Sequence, residues 1–484
     1  VGLFGILIGL ALLIVLSLRG WSVLLLAPAA ALIAALCSRE PILAHWTQTF
    51  MGGAALFLAQ FFPLFLLGSL FGKLMEDSGS LAAIADFLIR SFGPRHAIVA
   101  VVCAGALVTY GGVSLFVAFF VLAPMAQAVF RAAGIPRRLM PAAIVLGTST
   151  FSMSALPGTP SIQNAIPMPF FGTTLFAAPG LGVVASIIML GFGLWWLKRA
   201  QRLAHSAGES FGEGEPPAAK QLVDDDHLRE RAVASKEFDI AEIAHGQRAD
   251  SNPPPQLAAL PLVVVVIVNL GMAFFVLPAL DFAFLAEPRW GETSLPAVSG
   301  VWAVVTALAC AIATVIALQR KRLPNLRETC DAGANAAVLP ALSVASLVGF
   351  GAVVAALPAF TSVRDWVLGI GGGPLVSLAI ATNLLAALTG SASGGLSIAL
   401  DALGDSYLAQ AAATGINPAL LHRIAVIGAG TLDSLPHNGA VVTLLAVCGS
   451  THRASYRDMA VVGIVGAIIA LCAVIALGAW WGSF

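Results

Sequence analysis

Long apolar runs follow one another along this chain, separated by short polar joints. About 20 predominantly apolar residues suffice to cross a bilayer as a helix. Runs at 24–36 (extended at either end), 54–70, 181–197, 257–280, 295–318, 336–357 and 459–481 are therefore predicted to span a membrane. The run 1–18 is predicted as a further span. It has neither a basic start nor a small-residue cleavage signal, so it reads as a mature segment and not a leader.

Two regions break this regularity, 97–178 and 374–449. Their apolar segments are short and interrupted by Gly, Pro, Ser and Thr. Lipid offers no hydrogen bonds to loose peptide groups, so such interruptions are tolerated only where they face protein or a watery cavity. Function is expected in these two regions.

Composition narrows the class. Hydrophobic residues make up 58% of the 484 and charged residues 10%, against roughly 45–50% and 25% in soluble domains. So few charges cannot cover a soluble surface, and a polytopic all-α membrane protein results. Basic and acidic residues balance at 25 each. No basic stripe exists to displace counterions from phosphates, which argues against nucleic acid as a partner. The six cysteines show no close pairing, and fit neither a disulfide framework nor a zinc site. No metal or cofactor is expected.

The charges that exist are concentrated. The stretch 198–256 holds 8 basic and 11 acidic residues and a triple proline at 253–255, which reads as a solvated linker. Lys198, Arg199 and Arg202 open it, and Arg320, Lys321, Arg322 and Arg327 follow two spans later. The positive-inside tendency puts both clusters, and the linker, in the cytoplasm. Glu76, Asp77 and Asp86, flanked by Lys73 and Arg90, read as a solvated interface at a span end.

The two irregular regions resemble each other. The first contains TYGGVSLF (109–116), AAGIP (132–136) and SALPGTPSIQN (154–164). The second contains SASGGLSI (391–398), ATGIN (413–417) and DSLPHNGAVV (433–442). Gly112 falls opposite Gly395, Gly134 opposite Gly415, Pro157 opposite Pro436 and Asp86 opposite Asp365, at nearly constant separation. Duplicated halves with interrupted segments in matching places point to a secondary transporter with its site near the midplane. The second repeat is expected to be inverted relative to the first.

Candidate binding residues follow from these segments. Residues 146–164, LGTSTFSMSALPGTPSIQN, gather hydroxyls and amides without a charge. Pro157, Gly158 and Pro160 prevent a continuous helix there. A helix restarting near Thr159 or Ser161 would aim free N–H groups at the gap, which suits a carboxylate. Ser149, Thr150, Gly158, Thr159, Ser161 and Asn164 are the substrate-binding candidates of this segment. Gly112 and Ser114, and then Thr389, Ser391 and Ser393, sit at the tips of hairpin-like turns where glycine lets backbone approach a ligand closely. Asn438 and Gly439 complete the set. The second segment adds Asp433 and His437. Ionisable residues at membrane depth are expensive and mark function by default. His changes protonation near neutral pH, and Asp can join it where burial favours its neutral form. They are the proton-coupling candidates. Asn383 reads as a packing residue, and no Lys or Arg lies inside either broken segment.

No GxxxxGK[ST] or HExxH motif occurs, and the GxSxG match at 208–212 falls in the charged linker, outside both broken segments, so ATP-driven transport and hydrolysis lack support. At TYGGVSLF, LPGTPSIQN, TGSASGGLS and LDSLPHNGAVV the chain resembles the gluconate permease family, within the larger ion transporter superfamily. That resemblance covers nearly the whole chain. It implies proton-coupled uptake of organic anions such as gluconate across the bacterial inner membrane. It also implies two inverted repeats with re-entrant hairpins and broken helices, a homodimer, and elevator-type motion. Typical members carry a Pro-His-Pro-Gly-Pro-like string where this chain has Leu156 to Pro160, LPGTP; here the histidine is in the second segment, at 437. The pattern is closer to members linked with short hydroxy- or ketoacids such as 3-hydroxybutyrate.

The expected layout is scaffold spans over 1–95, a first core over 96–178, a span at 179–197, the linker at 198–256, scaffold spans over 257–373, a second core over 374–450, and a final span over 451–484. Two rival functions remain open at this stage. One is a sodium-coupled transporter of dicarboxylate or citrate type with the same fold, and the other is a passive anion channel.

Overall fold

A computed structural model describes residues 2–18, 21–113, 115–211, 247–249, 251–436 and 438–484. All regular structure among them is helical. The first half begins with Gly2–Leu18, Val23–Cys37 and the long helix Ile42–Asp77, followed by the amphipathic helix Ser80–Phe92. A hairpin then runs up Ala97–Tyr110 and back down Leu115–Ala132. Met140–Thr148 and the single turn Phe151–Ser154 lead into the first break. Ile162–Ala165 and Pro167–Phe171 leave it, and Pro179–Ser206 closes the half.

The second half repeats the order. Pro255–Ala279, Leu295–Arg322 and Leu326–Ala356 precede the amphipathic helix Phe360–Leu368. A second hairpin pairs Gly373–Thr389 with Ala392–Thr414. Pro418–Thr431, a break, Gly439–Cys448 and His452–Trp481 complete it. Landmarks matched in sequence fall in matching elements. Asp86 and Asp365 lie in the two amphipathic helices, and Pro157 and Pro436 in the two breaks. Gly134 and Gly415 end the second hairpin arms with φ of 62° and 71°, a left-handed conformation that only glycine adopts freely.

Apolar side chains face outward as well as inward. Leu56, Ile187, Ile267 and Phe275 are each more than half exposed on long apolar helices, the surface that lipid requires and water would reject. Among the described residues six helices are long and apolar enough to cross a membrane. The expected spans 181–197, 257–280, 295–318, 336–357 and 459–481 lie within or largely overlap such helices, and 54–70 is part of the much longer Ile42–Asp77. Most of the expected linker lies outside the described residues, at 212–246. Its far end is anchored: the Ala249 N–H donates to the Asp77 carbonyl at 2.8 Å, and Arg322 Nη1 donates to the Ser251 carbonyl at 2.7 Å.

Between helices, small residues set the spacing. Gly9 lies against the Ala30 backbone, and Gly147 against the Val102 carbonyl. Without a solvent-driven force between helices in lipid, such close backbone approach is what dispersion packing relies on. Long helices in equivalent positions also pack on one another: Ile42–Asp77 on Leu326–Ala356, and Pro179–Ser206 on His452–Trp481.

The packing corrects one expectation. Lys73 and Asp77 are not a solvated interface but are buried, at 6% and 2% exposure. Their charges pair at 3.0 Å, and the Thr329 hydroxyl donates to Asp77 Oδ2 at 2.8 Å. Gly333 is the reason, because its missing side chain lets the helix Leu326–Ala356 close over Leu70 and Lys73. The pair Asp86–Arg90 does stay in contact with solvent.

In the second hairpin, a Cβ on Gly395 would collide with the Ala386 backbone of the opposite arm. Gly395→Ala must push the arms apart, so a loss of about 1–3 kcal/mol is expected. Thermal unfolding of the purified protein checks it, and an unchanged melting temperature would show that the arms have room.

Candidate functional site

Each hairpin tip meets the break of its own half. At the first tip, the Tyr110 hydroxyl donates to the Pro157 carbonyl at 2.8 Å. Gly112, with φ 91°, packs against the Pro160 ring. At the second tip the tie is polar. The Ala392 N–H donates to Asp433 Oδ1 at 2.9 Å, and Asn438 Nδ2 donates to the same oxygen at 2.8 Å and to the Gly390 carbonyl at 2.9 Å. Thr389 donates to the Ser391 carbonyl, and the Ser391 and Ser393 hydroxyls lie 3.2 Å apart. Thr389, Ser391, Ser393, Asp433 and Asn438 are thus gathered at one junction, which Asp433 and Asn438 hold together from the break.

A helix follows each break. After the second, ten residues wind as Gly439–Cys448, and the Asn438 side chain accepts from the Ala440 N–H at 2.7 Å. Gly439 is buried at the start of this helix. After the first break, Ser161 caps Ile162–Ala165, and the winding carries on through the helical Ile166 into Pro167–Phe171, where the left-handed Gly172 ends it. The expected restart at Ser161 is present, and a second helix start follows the other break at Gly439.

Most hydroxyls of the first break are spent on local carbonyls. Thr150 donates to Leu146 at 2.8 Å, Ser161 to Met153 at 2.7 Å, and Ser149 pairs with Thr148 at 3.2 Å. Such back-bonding satisfies carbonyls freed where a helix is interrupted. The Gly158 N–H donates to the Leu175 carbonyl at 2.9 Å, and its φ of 82° with the Phe176 ring alongside leaves no place for a side chain. The Thr159 hydroxyl is the exception: it is buried and has no hydrogen-bond partner. Ser114 and His437 lie outside the described residues. Asn383, expected as a packing residue, keeps its Oδ1 buried without a partner.

Two residues that join the halves were not singled out in the sequence. His422 and Arg423, on Pro418–Thr431, are both 0% exposed. Arg423 Nε and Nη2 donate to the Ala177 carbonyl at 3.0 and 2.6 Å, Nη2 also to Leu175 at 3.3 Å, and Nη1 to the Ser154 carbonyl and Asn164 Oδ1 at 3.4 Å each. Asn164 Nδ2 donates to the carbonyls of Thr159 and Leu175, so its Oδ1 is the acceptor side. His422 Nε2 reaches that Oδ1 at 3.1 Å while Nδ1 meets the Thr173 hydroxyl at 2.7 Å. A neutral imidazole protonated on Nε2 satisfies both contacts. Gly430 further along the helix touches Ser154. The two breaks are therefore side by side, with a guanidinium of the second half set into the first. A usable signal was present: two ionisable residues inside the apolar run of 418–431.

Hairpin tips set against interrupted helices inside a lipid-facing bundle define a multi-pass membrane transporter. Comparison with known proteins agrees. The model of the GntP family permeases matches residues 1–212. The uncharacterized transporter YxjC of Bacillus subtilis (strain 168) is 38% identical over 481 residues, 98% of each chain. The chain belongs to the GntP permease family. Among solved structures it is similar to Neisseria gonorrhoeae MtrF, described with a class of antimetabolite efflux pumps, at TM-score 0.53 and 15% identity, over 90% of this chain and 85% of that one. The YdaH transporter of Alcanivorax borkumensis aligns at TM-score 0.44 and 16% identity, over 91% and 89%. The likeness to MtrF shows a shared fold.

Asn438→Ala removes the amide that bridges tip and break, and should cost about 1–3 kcal/mol of stability. It should also make a cysteine placed at Ser393 react faster with a water-soluble maleimide. An unchanged labelling rate would mean that Asn438 does not hold the tip.

Proposed function

We propose that this permease is a proton symporter that imports a small hydroxycarboxylate or sugar acid, such as 3-hydroxybutyrate or gluconate, across the bacterial inner membrane. One observation carries the reading: Asp433, an acid on a membrane-embedded break, ties that break to the neighbouring hairpin tip. The Asp433 carboxylate accepts the Ala392 and Asn438 N–H groups, and its protonation would weaken that tie. Proton binding and the position of the tip are thereby linked. Linkage is reciprocal, so an anion that prefers one tip position changes the affinity for the proton by the same factor.

The substrate reading rests on the donors. The helix start at Gly439, the hydroxyls at Ser391 and Ser393, and the unpartnered Thr159 hydroxyl suit a single carboxylate on a hydroxylated body. A tricarboxylate would need more positive charge than these provide. His437 stands next to this junction in sequence, and it is proposed to share the coupling proton with Asp433. Gly112, Ser114, Gly158, Ser149, Thr150, Ser161 and Asn164 form the first-half wall of the proposed cavity.

The repeated element order, with equivalent long helices packed on each other, supports inverted repeats. On this reading residues 96–178 and 374–450 form the moving core. The long outer helices form a static scaffold in a homodimer, and the core moves as an elevator.

Uptake into proteoliposomes tests the coupling. Radiolabelled 3-hydroxybutyrate and gluconate should accumulate under an inward proton gradient without sodium, saturably and with counterflow. Asp433→Asn should abolish accumulation while counterflow continues, and His437→Ala should abolish its pH dependence. Accumulation driven by sodium alone would favour the sodium-coupled alternative. Non-saturable flux without counterflow would make the protein a channel.

A further inference from the structure

The cluster around Arg423 has a composition that neither the coupling acid nor the hairpin tips explain. Every hydrogen bond the guanidinium makes goes to a neutral oxygen: the carbonyls of Ser154, Leu175 and Ala177, and Asn164 Oδ1. Three carbonyls and an amide oxygen turned towards one point are the ligand set that interrupted helices offer to a coupling metal cation. Here that place is filled by an arginine delivered from the other half. His422 beside it is satisfied as a neutral group and adds no charge.

We propose that Arg423 is a tethered cation, a permanent occupant of a carbonyl cage at the first break, whose charge helps to hold the anionic substrate. This rests on the reading that the breaks bind an anion. It adds that the first break needs no dissociable cation, which leaves the Asp433 junction to carry the coupling ion. Arg423 is a positioning residue: fully buried, it acts through the cage and through its field, not by touching the substrate. At a separation of roughly 10 Å and an intermediate effective dielectric, one charge alters the affinity for a monoanion about tenfold.

The cage can be tested without a substrate. Purified full-length Arg423→Ala should melt below the wild type. Millimolar guanidinium should restore much of the difference saturably, and equal concentrations of urea or choline should not. Wild-type stability in Arg423→Ala, or equal effects of guanidinium and urea, would overturn the cage. Should Arg423→Ala fail to fold, Arg423→Lys and Arg423→Gln decide: lysine should be the more stable, and the reverse order would overturn the proposal.

The role of the charge is read in proteoliposomes with 3-hydroxybutyrate, or with gluconate if only that is carried. Arg423→Gln should raise KM about tenfold, whereas Arg423→Lys should stay within about threefold of the wild type. Equal KM values in the two variants would reduce Arg423 to a structural clamp. A wild type that carries neither acid would sink the proposed substrate class, but would leave the guanidinium result on the cage standing.

Discussion

Peptide groups cannot be left unpaired in lipid, and most features of this permease answer to that constraint. Helices satisfy their own backbone, so an interruption is costly unless other groups take over. At the first break the hydroxyls of Thr150 and Ser161, the amide of Asn164 and the guanidinium of Arg423 cover carbonyls that the missing turns expose. At the second, Asn438 serves both sides of the gap, as donor to Gly390 and as acceptor for Ala440. The polar residues of the irregular regions are thus first a substitute for helix and only then a surface for a ligand.

This ordering separates two kinds of polar residue that look alike in sequence. A threonine that donates to a carbonyl one turn back has little left to offer a substrate, and Thr148, Thr150 and Thr431 are of this kind. Thr159 differs because its hydroxyl finds no partner. Asp433 differs because an acid satisfies nothing in a broken helix that an amide could not satisfy more cheaply. A buried ion costs several kcal/mol even after relaxation. Arg423 carries the same cost without a carboxylate beside it, which a purely structural clamp would not require.

The halves are similar in order and unlike in detail. Both have an amphipathic helix, a hairpin, a break and a closing span. The first hairpin tip is fixed by a tyrosine and by proline packing, the second by an acid and an amide. The second tip is thus held through a carboxylate, a group that can take up a proton. A guanidinium of the other half is set into the first break, while the second is bridged by its own Asn438.

The amino-acid sequence by itself determined that the chain lies in a membrane, that its halves repeat, and that both are interrupted near Pro157 and Pro436. Apolar run length and the glycine and proline positions are local properties, and lipid turns them directly into spans and breaks. The meeting of Thr389, Ser391 and Ser393 with Asp433 and Asn438 was foreseeable only as a list of residue types. Only the tertiary structure decided which oxygen each donor reaches, and that Lys73 and Asp77 are buried. It alone set Arg423 and His422 against a loop some 250 residues away in sequence. Such contacts arise from helix packing across the halves, where glycine gaps set the distance of approach, and no local pattern along the chain records them.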